Sequence, residues 1–294
     1  MLWSTQSKAL DKSQKIPIGP EAFQKYFQSY AYDEELCPGT YVEFTSVCFR
    51  YFHTLVHGIL RIMTEERKTI KELVLSEYFN APSIIIKKFE ELLIGAVTHS
   101  SRKEDENFDR EIADELFRPN RTTFGMSLPG IDIQRARDHG VPPYNDLREK
   151  CGLPRANDFG DLIDTTPYPA IVKMKKVYKH VDDIDPIVGG ALENNIPGTL
   201  MGPTFLCLMV NQFLLSQKSD RFFYLNRKQE YPFTEGQIKE IKKASIARLM
   251  CDHTGVQKIQ KQAFLQISKR NSLVDCRHIP AVDLSAWKEK WNVA

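Results

Sequence analysis

Two short stretches hold side chains whose types and spacing could do chemistry. In the first, Arg50, His53 and His57 stand three and four residues apart among apolar neighbours, so a helical segment would put all three on one face. A neutral imidazole can give one ring nitrogen to a metal while an arginine one turn away meets an anionic partner. A hydrogen-bonded core histidine beside a surface arginine satisfies the same pattern. In the second, LPGIDIQRARDHGVPP at 128–143, five ionisable side chains (Asp132, Arg135, Arg137, Asp138 and His139) fall within eight positions. Pro129-Gly130 before them and Gly140 with Pro142-Pro143 after them confine the run to a short, fixed geometry. Asp132 and Arg135, three apart, can face one partner; a salt-bridged connector is the plainer alternative.

The element that must carry His53 is TYVEFTSVCFRYFHTLVHGILRIM at 40–63. Thr40 lies three residues before Glu43, the spacing of a capping box, and Val47, Phe52, Leu55, Ile59 and Met63 recur at helical intervals. One helix over 40–63 is expected, continuing as a charged helical surface over 65–75. Further helices are expected over 84–97, 108–117, 144–151, 169–178, 205–215 and 234–249, the last begun by Thr234 with Gln237 at capping-box spacing. PIGPEAF at 17–23 reads as a turn and a short helix through Phe27, residues 1–15 as a poorly structured N-terminus, and the C-terminal end as a basic helix and a loop-like tail. VDDIDPIVGG at 181–190 lacks the glycine and terminal glutamate of an EF-hand, so Asp182, Asp183 and Asp185 are read as structural. Strand-like alternation is scarce, and the class is mainly α.

Composition narrows the rest. The 294 residues include 42% hydrophobic ones, ample for a core, and 40 basic against 38 acidic residues leave a charge of +2. That balance makes no general electrostatic case for nucleic acid or an anionic membrane. No membrane span is expected: the most apolar run, 200–215, is too short and contains Gly202, Pro203, Asn211 and Gln212. The first fifteen residues show no signal peptide. Six cysteines without a CxxC pair give no support for zinc, and the sequon Asn120-Arg121-Thr122 is too short a pattern to fix a compartment.

RYFHTL at 50–55 resembles the proximal ligand motif of the animal haem peroxidase family. The further marks follow in the family's order: IDIQRARDHGVPPYNDLREKCGLPRA at 131–156, HVDDIDPIVGGALE at 180–193, GPTFLC at 202–207, DRFFY at 220–224 and RLMCDHTG at 248–255. Together they run from about Ile16 to the end. The resemblance implies a helical haem peroxidase domain over 16–294, incomplete and corresponding to its proximal half.

It also implies roles. His53 would be the axial ligand of a b-type haem iron, with Arg50 and Arg135 on the propionates. Asp132 falls where most members place an asparagine that bonds the far nitrogen of the ligand. A carboxylate there should make the imidazole more electron-donating. Phe52 stands where glycine is usual. The complete enzyme would use hydrogen peroxide to oxidise small electron donors, with a part in the response to oxidative stress. Its distal catalytic residues and its calcium site are not expected in this chain. The resemblance further pairs Cys151 with Cys207 and Cys251 with Cys276, leaves Cys37 and Cys48 unassigned, and shifts the expected location to the extracellular space. The alternative is a truncated, catalytically inactive haem-binding or interaction protein. A non-haem metal at Asp138-His139 or Asp252-His253 lacks ligand spacing. Oligomeric state is left open.

Overall fold

A computed structural model describes residues 20–27, 30–119 and 122–288. The N-terminal stretch 1–15 and Asn120-Arg121 of the sequon lie outside them. The molecule is mainly helical, as expected, with two small antiparallel hairpins that the sequence pattern had not shown.

After α1 (Pro20–Tyr26), the expected helix over 40–63 is three pieces: a short helix α2 (Val42–Ser46), a 3-10 helix (Cys48–Leu55) and a strand β1 (Ile59–Met63). The capping box does not form. Tyr41 is the N-cap, without a side-chain bond, and Val47 at φ −133° and ψ −77° leaves helical geometry before the chain resumes as a 3-10 turn. β1 pairs with β2 (Thr69–Val74), Ile59 opposite Val74, so the charged stretch over 65–75 is a strand rather than a helix. β-branched Ile59, Ile62, Thr69, Ile70 and Val74 favour that outcome over a continued helix.

The expected helix over 84–97 is likewise two, α3 (Pro82–Lys87) and α4 (Phe89–Thr98), separated at Lys88. α4 lies against β1 closely enough that a Cβ on Gly95 would sit 1.8 Å from the carbonyl oxygen of Arg61. Only glycine allows that approach. Of 108–117, only α5 (Arg110–Ala113) is helical, capped by Asp109, which accepts from Glu111 N–H at 3.0 Å. α6 (Leu128–Asp138) ends at Gly140, whose φ of +63° lets Val141 N–H return to the Ala136 carbonyl at 3.0 Å.

Then come α7 (Tyr144–Lys150), α8 (Tyr168–Val177) and α10 (Pro203–Ser219), close to expectation, and between the last two α9 (Pro186–Ala191), a short helix in a stretch expected to be turns. The helix expected over 234–249 is α11 (Glu235–Ile241) and α12 (Ile246–His253), because Ser245 breaks the run and caps the second by accepting from Arg248 N–H. The Thr234–Gln237 capping box forms as expected. The C-terminal end is a hairpin of β3 (Lys258–Gln260) and β4 (Leu273–Asp275) followed by 3-10 turns, not a basic helix.

The central core joins Val47, Cys48 and Tyr51 of the His53 segment to Ala136 of α6, Ile187 of α9, and Phe205, Met209 and Phe213 of α10. Buried Gln212 on α10 accepts from Tyr41 N–H at 2.7 Å and donates to the Gly39 carbonyl at 3.1 Å, which anchors the start of that segment. A second core packs β1 and α4 on α12 and β3. Two disulfides form, Cys151–Cys207 and Cys251–Cys276, the pairs that the family resemblance implied. Cys37 and Cys48 are free. Burial pushes the Cys48 thiol up, so it stays protonated and unreactive. Among the described residues no helix is long and apolar enough to cross a membrane.

Candidate functional site

Eight residues of 3-10 helix is long for that geometry, and it has a use. With three residues per turn, side chains at i and i+3 eclipse, so Arg50 and His53 line up on one edge. Their common target is Asp132, which α6 brings in from 79 positions beyond His53. His53 Nδ1 lies 2.7 Å from Asp132 Oδ2 and Arg50 Nη1 lies 3.3 Å from Asp132 Oδ1. Asp132 is completely buried, whereas His53 and Arg50 are each 30% exposed. A carboxylate only accepts, so in the neutral imidazole Nδ1 carries the hydrogen and Nε2 holds an in-plane lone pair. Nε2 has no partner among the described residues.

Arg50 is held at two points. Its Nε donates to the Thr45 carbonyl at 3.0 Å while Nη1 takes Asp132, which leaves Nη2 unengaged among the described residues. Arg135, one turn beyond Asp132 on α6, is exposed and makes no ion pair among the described residues. Arg137 and Asp138 fulfil the connector alternative: Arg137 forks onto Asp185 at 2.8 and 2.7 Å, and Asp138 accepts from Gln134. The segment thus splits by face, Asp132 inward to the histidine and Arg137 sideways to a structural partner.

His57 does not join this site. The 3-10 helix stops at Leu55, and His57 turns to His99, their ring centroids 4.3 Å apart, with its Nδ1 accepting from Ile59 N–H at 3.1 Å. Burial, then Arg61 and His57, hold the His99 imidazole below its usual range. Phe52 is accommodated: it packs on the central core, edge to face with Phe49 and tilted against Tyr51. The Asp182 and Asp183 carboxylates engage Asn145, Arg155 and the His180 N–H, in keeping with a structural role.

Sequence reasoning missed the Arg50–Asp132 pair and the Gln212 anchor. Nothing local signals the first across 82 positions; the arginine and histidine three apart become aligned only because the turn is 3-10.

No group of three or more His, Cys, Asp or Glu among the described residues could hold a metal ion. A metal at His53 would therefore have to bring its other ligands with it, as iron in a porphyrin does, and a single imidazole with a free Nε2 fits that requirement. Residues 8–264 match the family model described as animal haem peroxidase. The chain belongs to the animal haem peroxidase family. It is 41% identical over 262 residues to a Drosophila melanogaster peroxidase, covering 87% of this chain and 37% of that one. To peroxidase-like protein 3 of Lottia gigantea it is 31% identical over 258 residues, covering 88% and 83%. Among solved structures, peroxidase A of Dictyostelium discoideum superposes with a TM-score of 0.75 at 26% identity, over 88% of this chain and 48% of that one. This haem peroxidase family chain thus spans little more than a third of the fly peroxidase's length and about four-fifths of the Lottia gigantea protein's.

Proposed function

We propose that residues 16–294 form part of a haem peroxidase catalytic domain and supply its proximal wall. His53 Nε2 ligates the iron of a b-type haem, Asp132 holds the far nitrogen, and Arg135, with Nη2 of Arg50, meets the propionates. One observation carries this: a fully buried carboxylate fixes Nδ1 of a histidine at 2.7 Å while the other ring nitrogen stays open. Haem, when bound, supplies the redox chemistry, reduction of hydrogen peroxide coupled to oxidation of small donors.

The side chains do the rest. Asp132 accepts the Nδ1 hydrogen, selects the tautomer that ligates, and stops the ring from turning. Its charge increases the electron donation of the imidazole, and the Arg50 guanidinium 3.3 Å away offsets part of that charge. Arg135 offers an uncommitted cation on the same helix as Asp132, suited to a carboxylate at the haem edge. The two disulfides support an extracellular location.

The Lottia gigantea relative, of nearly this chain's length, favours keeping a second reading: a peroxidase-like chain that binds haem without turnover. Reconstituting the 294-residue chain with haemin and adding hydrogen peroxide and guaiacol separates them. Guaiacol oxidation supports the peroxidase, a Soret band without turnover supports the binding protein, and no Soret band overturns both.

A further inference from the structure

Residues 165–181 contain Lys173, Lys175, Lys176 and Lys179 and not one acidic residue, in a chain whose 40 basic and 38 acidic residues otherwise nearly balance. α8 at the centre of this run buries Ala170, Ile171 and Met174 against a core of its own. At about 100° per residue, Lys175, Tyr168, Val172, Lys176 and Lys173 follow one another round the outward arc. The four lysines are exposed, and among the described residues only Lys173 has an ionic neighbour, Glu106 at 3.7 Å. Acids beyond the helix ends are already committed. Asp164 is held by Arg148, Asp182 by Arg155 and Asn145, Asp183 by His180 N–H, and Asp185 by Arg137 and Tyr178. Lys175, Lys176 and Lys179 therefore have no ionic partner among the described residues, and the face carries net positive charge.

Tyr168 adds a second kind of contact. Its side chain is 68% exposed, and it stands between Pro167 and Pro169 at the helix start with lysines on the same arc. The geometry points to this face as a docking site for a sulfated polysaccharide. Sulfate groups meet the lysine ammonium groups, and the C–H face of a sugar ring lies on the exposed phenol ring. An anionic bilayer fits less well, since insertion needs a continuous band of large apolar side chains, and the exposed ones of this helix, Tyr168, Val172 and Val177, are interleaved with lysines. The site is independent of haem and of the His53 reading, and agrees with a disulfide-bonded protein outside the cell.

Heparin is the probe, with neutral dextran as control, in affinity chromatography and calorimetric titration of the full chain. Heparin should bind at physiological salt and dextran should not. Lys175→Glu with Lys176→Glu should weaken heparin binding about tenfold and flatten its salt dependence. Tyr168→Ser should weaken it severalfold with charge unchanged. Lys261→Glu with Lys269→Glu, the same charge reversal on another surface, should leave it within about twofold of the parent. Absence of heparin binding, equal losses from both lysine pairs, an unaffected Tyr168→Ser, or preference for phosphatidylserine vesicles over heparin would each overturn the assignment.

Discussion

Asp132 and Arg148 are both fully buried charges, and the molecule treats them in opposite ways. Arg148 spends both terminal nitrogens inside the protein, although its buried Nε has no partner among the described residues. Its Nη1 donates to Thr165 Oγ1 at 2.6 Å and the Tyr144 hydroxyl at 3.3 Å, and its Nη2 to Asp164 at 2.8 Å and the Pro154 carbonyl at 3.2 Å. The Tyr144 hydroxyl passes on to Glu193 at 2.7 Å, which also accepts from the Thr204 hydroxyl and N–H. Apart from the Arg148–Tyr144 bond within α7, the links tie α7 to the 158–165 turn and, through Glu193, to the start of α10. Among the described residues Asp132 has two side-chain partners, and each keeps something in hand, Nε2 on His53 and Nη2 on Arg50, on side chains 30% exposed. A buried charge whose partners are spent is architecture. One whose partners face outward with unused valence is prepared for a ligand.

Substitutions should separate the two sharply. Arg148→Met should cost the most stability, about 3 kcal/mol, because Tyr144, Thr165 and Asp164 lose a buried charged donor. The urea midpoint checks it, while the haem spectrum of the folded protein stays unchanged. Asp132→Asn should cost less than about 1 kcal/mol, since the amide can still accept from Nδ1 and both partners reach solvent. Its effect belongs to the cofactor: the iron(III)/iron(II) midpoint potential of haem-loaded protein should rise as the imidazole donates less. Equal stability losses, or a potential moved by Arg148→Met and not by Asp132→Asn, would erase the contrast.

The smallest effect concerns Glu193. Burial pushes its carboxyl up, opposed by the bonds from Thr204 and Tyr144. The folded state therefore binds this proton more tightly than the unfolded chain, so its contribution is greatest below the ordinary carboxyl range and is lost as pH rises through the raised folded value. Glu193→Gln should flatten that fall in stability between acid and neutral pH, measured as urea midpoints at successive pH values.

The sequence singled out residues that the fold brings together, His53, Arg50 and Asp132, and misjudged the element that carries two of them. His53, Arg50, Asp132 and Arg135 stand in long motifs, so their neighbourhood could be read through the family resemblance. The helix expected over 40–63 failed because an apolar residue every three or four positions is also produced by a 3-10 turn followed by a strand. Val47 and Gly58 mark the breaks only in hindsight. The helices α7, α8 and α10 were close to expectation because proline starts and continuous buried faces define them locally. The split between α11 and α12 depended on Ser245 preferring a cap to a helix interior, a contest that periodicity cannot decide. Arg50 was read as a propionate partner alone because its bond to Asp132 spans 82 positions.

The most direct test is ferric haem titration of the parent chain and of His53→Ala, followed in the Soret region and then with added imidazole. Ligation through His53 Nε2 requires a Soret band in the parent, its loss in His53→Ala with far-ultraviolet circular dichroism intact, and its return when imidazole fills the space left by the ring. An unchanged Soret band in His53→Ala would contradict it.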